Sequence, residues 1–278
     1  LTAAEADAVF DLPDPGVHIL PDEQWRDSVY YYTPTNDGLV LFGSEGSLYR
    51  VDVGGYADTD LVEASNESVR GMQVWNDAVF FGGESNVRKY VYQSTGSPED
   101  QLSNVSGSPA GTVLGVWRGQ LYVATDDMVV RWSDPVLPDE DFTSWPAGNT
   151  FDLGGSTSRE DEYLVVGAPT PDGFTLFTNL GTYMIYDEET GANTVVDATG
   201  GLSGRSALQR DGDYLYGVNQ KGVWRTNGRE PLQYLTDEQM SSFFTRDCGG
   251  FKDMSLAYSS TGWHPATGTI VDRSYFAV

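Results

Sequence analysis

Apolar residues recur along the chain in short alternating runs separated by Gly- and Asp-rich turns. Leu39-Val40-Leu41-Phe42 follows the turn Asn36-Asp37-Gly38, breaks at Gly43-Ser44-Glu45-Gly46 and resumes at Ser47-Leu48-Tyr49-Arg50-Val51. The same unit returns as Ala78-Val79-Phe80-Phe81 with 87–92, Gln120-Leu121-Tyr122-Val123-Ala124 with 128–132, and Phe174-Thr175-Leu176-Phe177 with 182–186. A fifth copy is Asp213-Tyr214-Leu215-Tyr216 with Val223-Trp224-Arg225. A degraded sixth is 254–258 and 269–271, with 259–265 as its turn. Period-two alternation closed by Asn-Asp-Gly and Asp-Gly turns predicts antiparallel hairpins.

The hairpins are evenly spaced. Aligning Leu41, Phe80, Tyr122, Leu176, Leu215 and Leu256 gives steps of 39, 42, 54, 39 and 41 residues, the long step carrying an insertion over 133–155. A repeated hairpin near every 40 residues, with four strands per unit, predicts a β-propeller. A β-sandwich spaces its strands similarly but does not repeat a hairpin at that period. The expected fold is therefore all-β: a propeller of about six four-stranded antiparallel blades, with five to seven as bounds, in one domain over 1–278. Residues 1–35 are expected either to close the ring with a strand for the last blade or to link to a neighbour. Helix signals are few: a short turn over 2–10, and 236–244, where Thr236 and Gln239 have capping-box spacing. The Pro-rich stretches 12–21 and 94–109 read as loops.

Charge changes the picture next. Lys plus Arg number 16 against 41 Asp plus Glu, a formal charge of −25, and only Lys89, Lys221 and Lys252 are lysines. Such a field repels phosphate, which argues against direct nucleic-acid binding. Excess short carboxylates also suit high salt, where self-repulsion is screened. No apolar run approaches the ~18 residues of a membrane helix, so membrane insertion is not expected. Glu5, Asp7, Asp11 and Asp14, with no basic residue in the first twenty, are unlike a signal peptide.

Candidate chemistry is sparse. His18 and His264 lack a second histidine at metal-ligand spacing. Cys248, the single cysteine, has no nearby histidine in sequence to act as its base. Asp139-Glu140-Asp141 and Glu160-Asp161-Glu162 are acidic clusters that read as solvated loops rather than a glycosidase pair. Asp211-Gly212-Asp213 reads as turn chemistry, as does Tyr186-Asp187-Glu188-Glu189-Thr190-Gly191. Asn66-Glu67-Ser68 and Asn104-Val105-Ser106 match the glycosylation tripeptide. Trp117, Trp145 and Trp263 could stack on sugar rings; Trp75, Trp117 and Trp224 could instead anchor blades. No catalytic, cofactor-binding or metal-binding residue is assigned, and no enzyme activity or cofactor is expected.

One region is more specific. Ser133-Asp134-Pro135 leads to Phe142-Thr143-Ser144-Trp145-Pro146-Ala147-Gly148-Asn149-Thr150-Phe151-Asp152-Leu153-Gly154, then a strand over 163–168 and the hairpin 174–186. Gly201-Leu202-Ser203-Gly204-Arg205-Ser206-Ala207-Leu208 and Gly222-Val223-Trp224-Arg225-Thr226-Asn227-Gly228 complete it. Over about 117–235 this order resembles the β-propeller structural proteins of tailed-virus tails, nozzle proteins among them. The resemblance implies a non-catalytic virion protein of the tail or tail tip, serving assembly or host contact. Its implied partners are other tail proteins, further copies of itself and a host surface glycan or receptor, and the acidity suits a halophilic host. The alternatives are a carbohydrate-binding or glycan-cleaving propeller and a host-encoded surface scaffold.

Overall fold

The computed structural model describes residues 27–32, 38–43, 47–52, 59–64, 68–93, 95, 101–137, 140–153, 162–187, 192–236, 255–264 and 269–277. Its strands run in chain order through five four-stranded antiparallel sheets. Sheet 1 holds β1 (Asp27–Tyr32), β2 (Gly38–Gly43), β3 (Ser47–Asp52) and β4 (Thr59–Ala64). Sheet 2 holds β5 (Arg70–Trp75), β6 (Ala78–Gly82), β7 (Arg88–Tyr90) and β8 (Leu102–Asn104). Sheet 3 holds β9 (Thr112–Trp117), β10 (Gln120–Ala124), β11 (Val129–Trp132) and β12 (Thr150–Asp152). Sheet 4 holds β13 (Leu164–Thr170), β14 (Gly173–Thr178), β15 (Thr182–Asp187) and β16 (Ala192–Asp197). Sheet 5 holds β17 (Leu208–Asp211), β18 (Tyr214–Asn219), β19 (Gly222–Thr226) and β20 (Gln233–Tyr234). A sixth sheet pairs β21 (Ser255–His264) with β22 (Thr269–Ala277).

The first strands lie side by side, β1 against β5, β5 against β9 and β9 against β13, with β17 against β21. Sheets thus succeed one another around an inner wall, the radial repetition of a β-propeller. Residues Leu41, Phe80, Tyr122, Leu176 and Leu215 all fall on the second strand of their sheet, as the alignment requires.

The second strands explain why the runs are so apolar. In β6 and β10 every residue is buried. Alternate side chains face opposite sides of a strand, and here both sides are covered by a neighbouring sheet. Val79 and Phe81 enter the core shared with sheet 1, among Tyr31, Leu41 and Tyr90. Phe80 enters the core shared with sheet 3, among Val113, Leu121 and Val123. On β10, Leu121 and Val123 face sheet 2, whereas Tyr122 faces sheet 4 beside Phe174 and Leu176. Phe177 turns the other way and stacks on Trp224 of sheet 5, with ring centroids 5.3 Å apart. Four interblade cores follow in sequence. Gly217 is needed at the last: a Cβ there would lie 2.2 Å from the Trp224 ring.

Two expectations are corrected. Residues 94–109, read as a loop, contain β8, the outer strand of sheet 2 paired to β7. The sixth unit is displaced by one strand: Leu256 lies on β21, the first strand of its sheet, and much of the expected turn at 259–265 is strand. A register shift between Ser259 and Gly262 lets this longer hairpin continue. Within residues 1–35, Asp27–Tyr32 pairs with β2 in sheet 1; residues 1–26 and 33–35, and with them the expected ring closure or link to a neighbour, lie outside the described residues. Of the helices expected over 2–10 and 236–244, the first and residues 237–244 of the second also lie outside them. Thr236, the expected cap, is described; its Oγ1 accepts the Val223 N–H at 3.2 Å.

Candidate functional site

The insertion between β11 and β12 is the largest departure from the repeat, and it is built into the seam between sheets 2 and 3. Ser133 opens it, fully buried: its N–H donates to the Leu121 carbonyl and its Oγ accepts the Leu121 N–H, both at 3.1 Å. Asp134 N–H donates to the Ser144 carbonyl at 2.9 Å, and Ser144 Oγ donates to Asp134 Oδ2 at 2.5 Å. Val136 N–H donates to the carbonyl of Gly119, at the β9–β10 turn, at 2.9 Å. These bonds fold the segment back on sheet 3. Its apolar end then crosses to sheet 2. Phe142 is 0% exposed and meets Phe80 edge-on at 5.1 Å and Trp75 at 6.5 Å. At the rim the Lys89 ammonium of β7 pairs with the Asp141 carboxylate. The insertion is a strap that bridges two blades.

Several described carboxylates are used in the same way. Glu162 is buried and accepts hydrogen bonds from Thr178 Oγ1 at 2.6 Å and the Tyr183 hydroxyl at 3.0 Å. Asp197 Oδ1 accepts the Thr199 N–H at 2.8 Å. Glu140 Oε2 accepts the Leu137 N–H at 2.9 Å. Arg70 joins the β10–β11 turn of the next sheet through Asp126 at 2.7 Å and also lies 3.6 Å from Glu84. The Thr125 hydroxyl beside Asp127 holds its exposed carboxyl below the usual range. Burial pushes the Tyr31 phenol up to about 12; its hydroxyl donates to the Asp77 carbonyl of sheet 2 at 2.6 Å. Burial also raises Tyr234, against the opposing Asn219 hydrogen bond. Each interaction ties backbone or side chain to a neighbour, a chemistry of positioning.

Among the described residues, those singled out in the sequence do not converge on one site. Trp117 is buried, its ring stacked on Phe174 at 6.4 Å with the Arg118 guanidinium 4.5 Å above it, so it anchors a blade and offers no open face to a sugar. Trp224 is likewise a buried anchor. Trp145 is half-buried and donates its indole N–H to the Phe142 carbonyl at 3.2 Å, as part of the strap. Trp75 packs against the sheet 2–3 core. Asp211, at the end of β17, and Asp213, on the turn to β18, are exposed, and Asn104 is exposed on β8. His18, Cys248, Asp139, Glu160, Asp161 and Asn66 lie outside the described residues, as do the side chains of Trp263 and His264. Among the described residues no group of three His, Cys, Asp or Glu could hold a metal ion, and no helix is long and apolar enough to cross a membrane.

No protein-family model and no curated protein matches the chain. It is similar in course to several solved structures. The N-terminal domain of Nup159 has a TM-score of 0.48 at 11% identity, over 76% of this chain and 62% of that one. Nidogen in its complex with laminin gives 0.43 at 15%, over 70% and 79%. The extracellular domain of the BT4673 system from B. thetaiotaomicron gives 0.41 at 16%; the match covers 79% of this chain and 34% of that much longer one. The fold itself is read from the strand order and the interblade cores above.

Proposed function

We propose that this propeller is a non-catalytic structural protein of a tailed virus, placed in the tail or its tip. The observation that carries the rigid, architectural part is the run of four interblade cores from sheet 1 to sheet 5, with the Phe142 strap across the seam of sheets 2 and 3, which makes adjacent blades one stiff body. The resemblance of 133–154 and 201–228 to tail propellers supports the virion part. On this reading the outer strands and turns dock other tail proteins and further copies of the chain through symmetric contacts, and a host glycan or receptor is the outward partner. The charge of −25 disfavours contact with the genome and with a membrane surface of like sign.

Electron microscopy and mass spectrometry of purified native particles test this. The expected result is the chain in stoichiometric amount, as a ring-shaped density in the tail. Absence of the chain from particles, with a monomer free in solution, refutes the virion role. Turnover of envelope glycans by the purified chain refutes the non-catalytic part.

A further inference from the structure

One arginine side chain, at the entry to sheet 5, reaches two sheets that are not its neighbours. Arg205 sits in a one-turn 3₁₀ segment (Arg205–Ala207) just before β17, the first strand of sheet 5. Its Nη1 donates to the carbonyl of Val113 on β9 at 2.6 Å, and its Nη2 to the carbonyl of Met72 on β5. These acceptors are 92 and 133 residues away and belong to the first strands of sheets 3 and 2. Sheet 4 stands between sheets 3 and 5 in the ring, so the side chain does not run along a seam. It reaches past sheet 4 to the first strands of sheets 3 and 2.

The seat for it is prepared. Gly71, between Arg70 and Met72 on β5, has φ of +70°, the left-handed region that favours glycine. A Cβ at that position would lie 2.2 Å from the Val113 carbonyl oxygen and 2.8 Å from Arg205 Nη1. The guanidinium is suited to the task, because its planar fork presents several donors in fixed geometry where an ammonium is a point charge. At the other end the 3₁₀ turn is held by the Ala207 N–H to the Gly204 carbonyl at 3.0 Å.

We propose that Arg205 is a cross-axis latch: one guanidinium fills the centre at this level and holds sheets 2, 3 and 5 in a fixed relation. A wheel latched in this way is not an open bore for a strand of nucleic acid. Hydrogen bonds from a charged donor are stronger than neutral ones, so the local effect of losing both is measurable without general unfolding.

The test is hydrogen–deuterium exchange on the full chain as Arg205→Ala and Arg205→Lys. In Arg205→Ala the amides of β5 and β9 should exchange about tenfold faster or more, with β14 and β15 unchanged as the internal control. Methylguanidinium should restore protection in that variant and methylammonium should not. Should the alanine variant not fold, Arg205→Lys decides alone; it is expected to show the same selective loss to a smaller degree. Unchanged exchange in β5 and β9, an equal rise in every sheet, or equal rescue by methylammonium overturns the proposal. So does a density map with an open bore at the level of Met72 and Val113.

Discussion

Replacing Phe142 by alanine separates a structural strap from a surface loop. The side chain is fully buried, 62 residues along the chain from its edge-on partner Phe80. A buried phenylalanine removes about 150–250 Å² from water, which at about 25 cal/mol per Å² amounts to roughly 4–6 kcal/mol. Alanine retains part of that burial, and the cavity term adds to the loss, so the expected cost is about 3–5 kcal/mol. For a chain of this size each kcal/mol moves the melting temperature by about 2–4 °C, so thermal unfolding followed by circular dichroism should show a drop on the order of 6–20 °C. The control is Lys89→Ala, which removes the rim pair with the 61% exposed Asp141 side chain and the ammonium 5.9 Å above the Phe80 ring; an exposed pair is worth about 0–1 kcal/mol and an exposed cation–π contact about 0.5–1 kcal/mol, together less than the Phe142 loss. The reasoning is refuted if Phe142→Ala melts with the native chain, or if it and Lys89→Ala cost the same.

Three further outcomes are expected. The folded-state pKa of Tyr31, raised from 10.0 to about 12, means that the folded protein keeps this proton while the unfolded chain loses it. The contribution is therefore full below pH 10 and is lost as pH rises through 12; Tyr31→Phe should flatten that decline in denaturant titrations and cost about 1 kcal/mol at neutral pH for the lost bond to Asp77. Glu162→Ala should leave the buried Thr178 and Tyr183 hydroxyls without this acceptor and cost about 1–3 kcal/mol, read as a lower urea midpoint. With a formal charge of −25, raising salt from about 0.1 M to about 1 M shortens the Debye length from about 10 Å to about 3 Å. The melting temperature should rise over that range, and a flat or falling curve would contradict self-repulsion as the governing effect.

The second strands were the most legible part of the sequence, because residues such as Phe80 and Tyr122 must be apolar on both faces and the turns beside them need Gly or Asp. Outer strands were harder to see. β8 is Leu102-Ser103-Asn104, with two exposed polar residues and almost no pattern to betray it. The insertion was visible as a break in spacing, but the role of Phe142 was not: its partner is far off in sequence, and an apolar residue in a Pro-rich loop carries no sign of what it meets. Arg205 was invisible for a stronger reason. Its acceptors are backbone carbonyls, which every residue possesses, so no side-chain pattern at Met72 or Val113 could announce it. Trp117 illustrates the converse, since a tryptophan suggests either a platform or an anchor, and only packing against Phe174 and Tyr122 decides.

Because β6, β10 and β14 each send alternate side chains into two different cores, adjacent blades own their walls in common. A change that shrinks one wall is felt on both flanks, as in arrays where each unit leans on the next. Tolerance to substitution should therefore be distributed by radius: scarce on the second strands, and freer toward the perimeter and the turns. New specificities can then be tried at the periphery while the hub stays untouched.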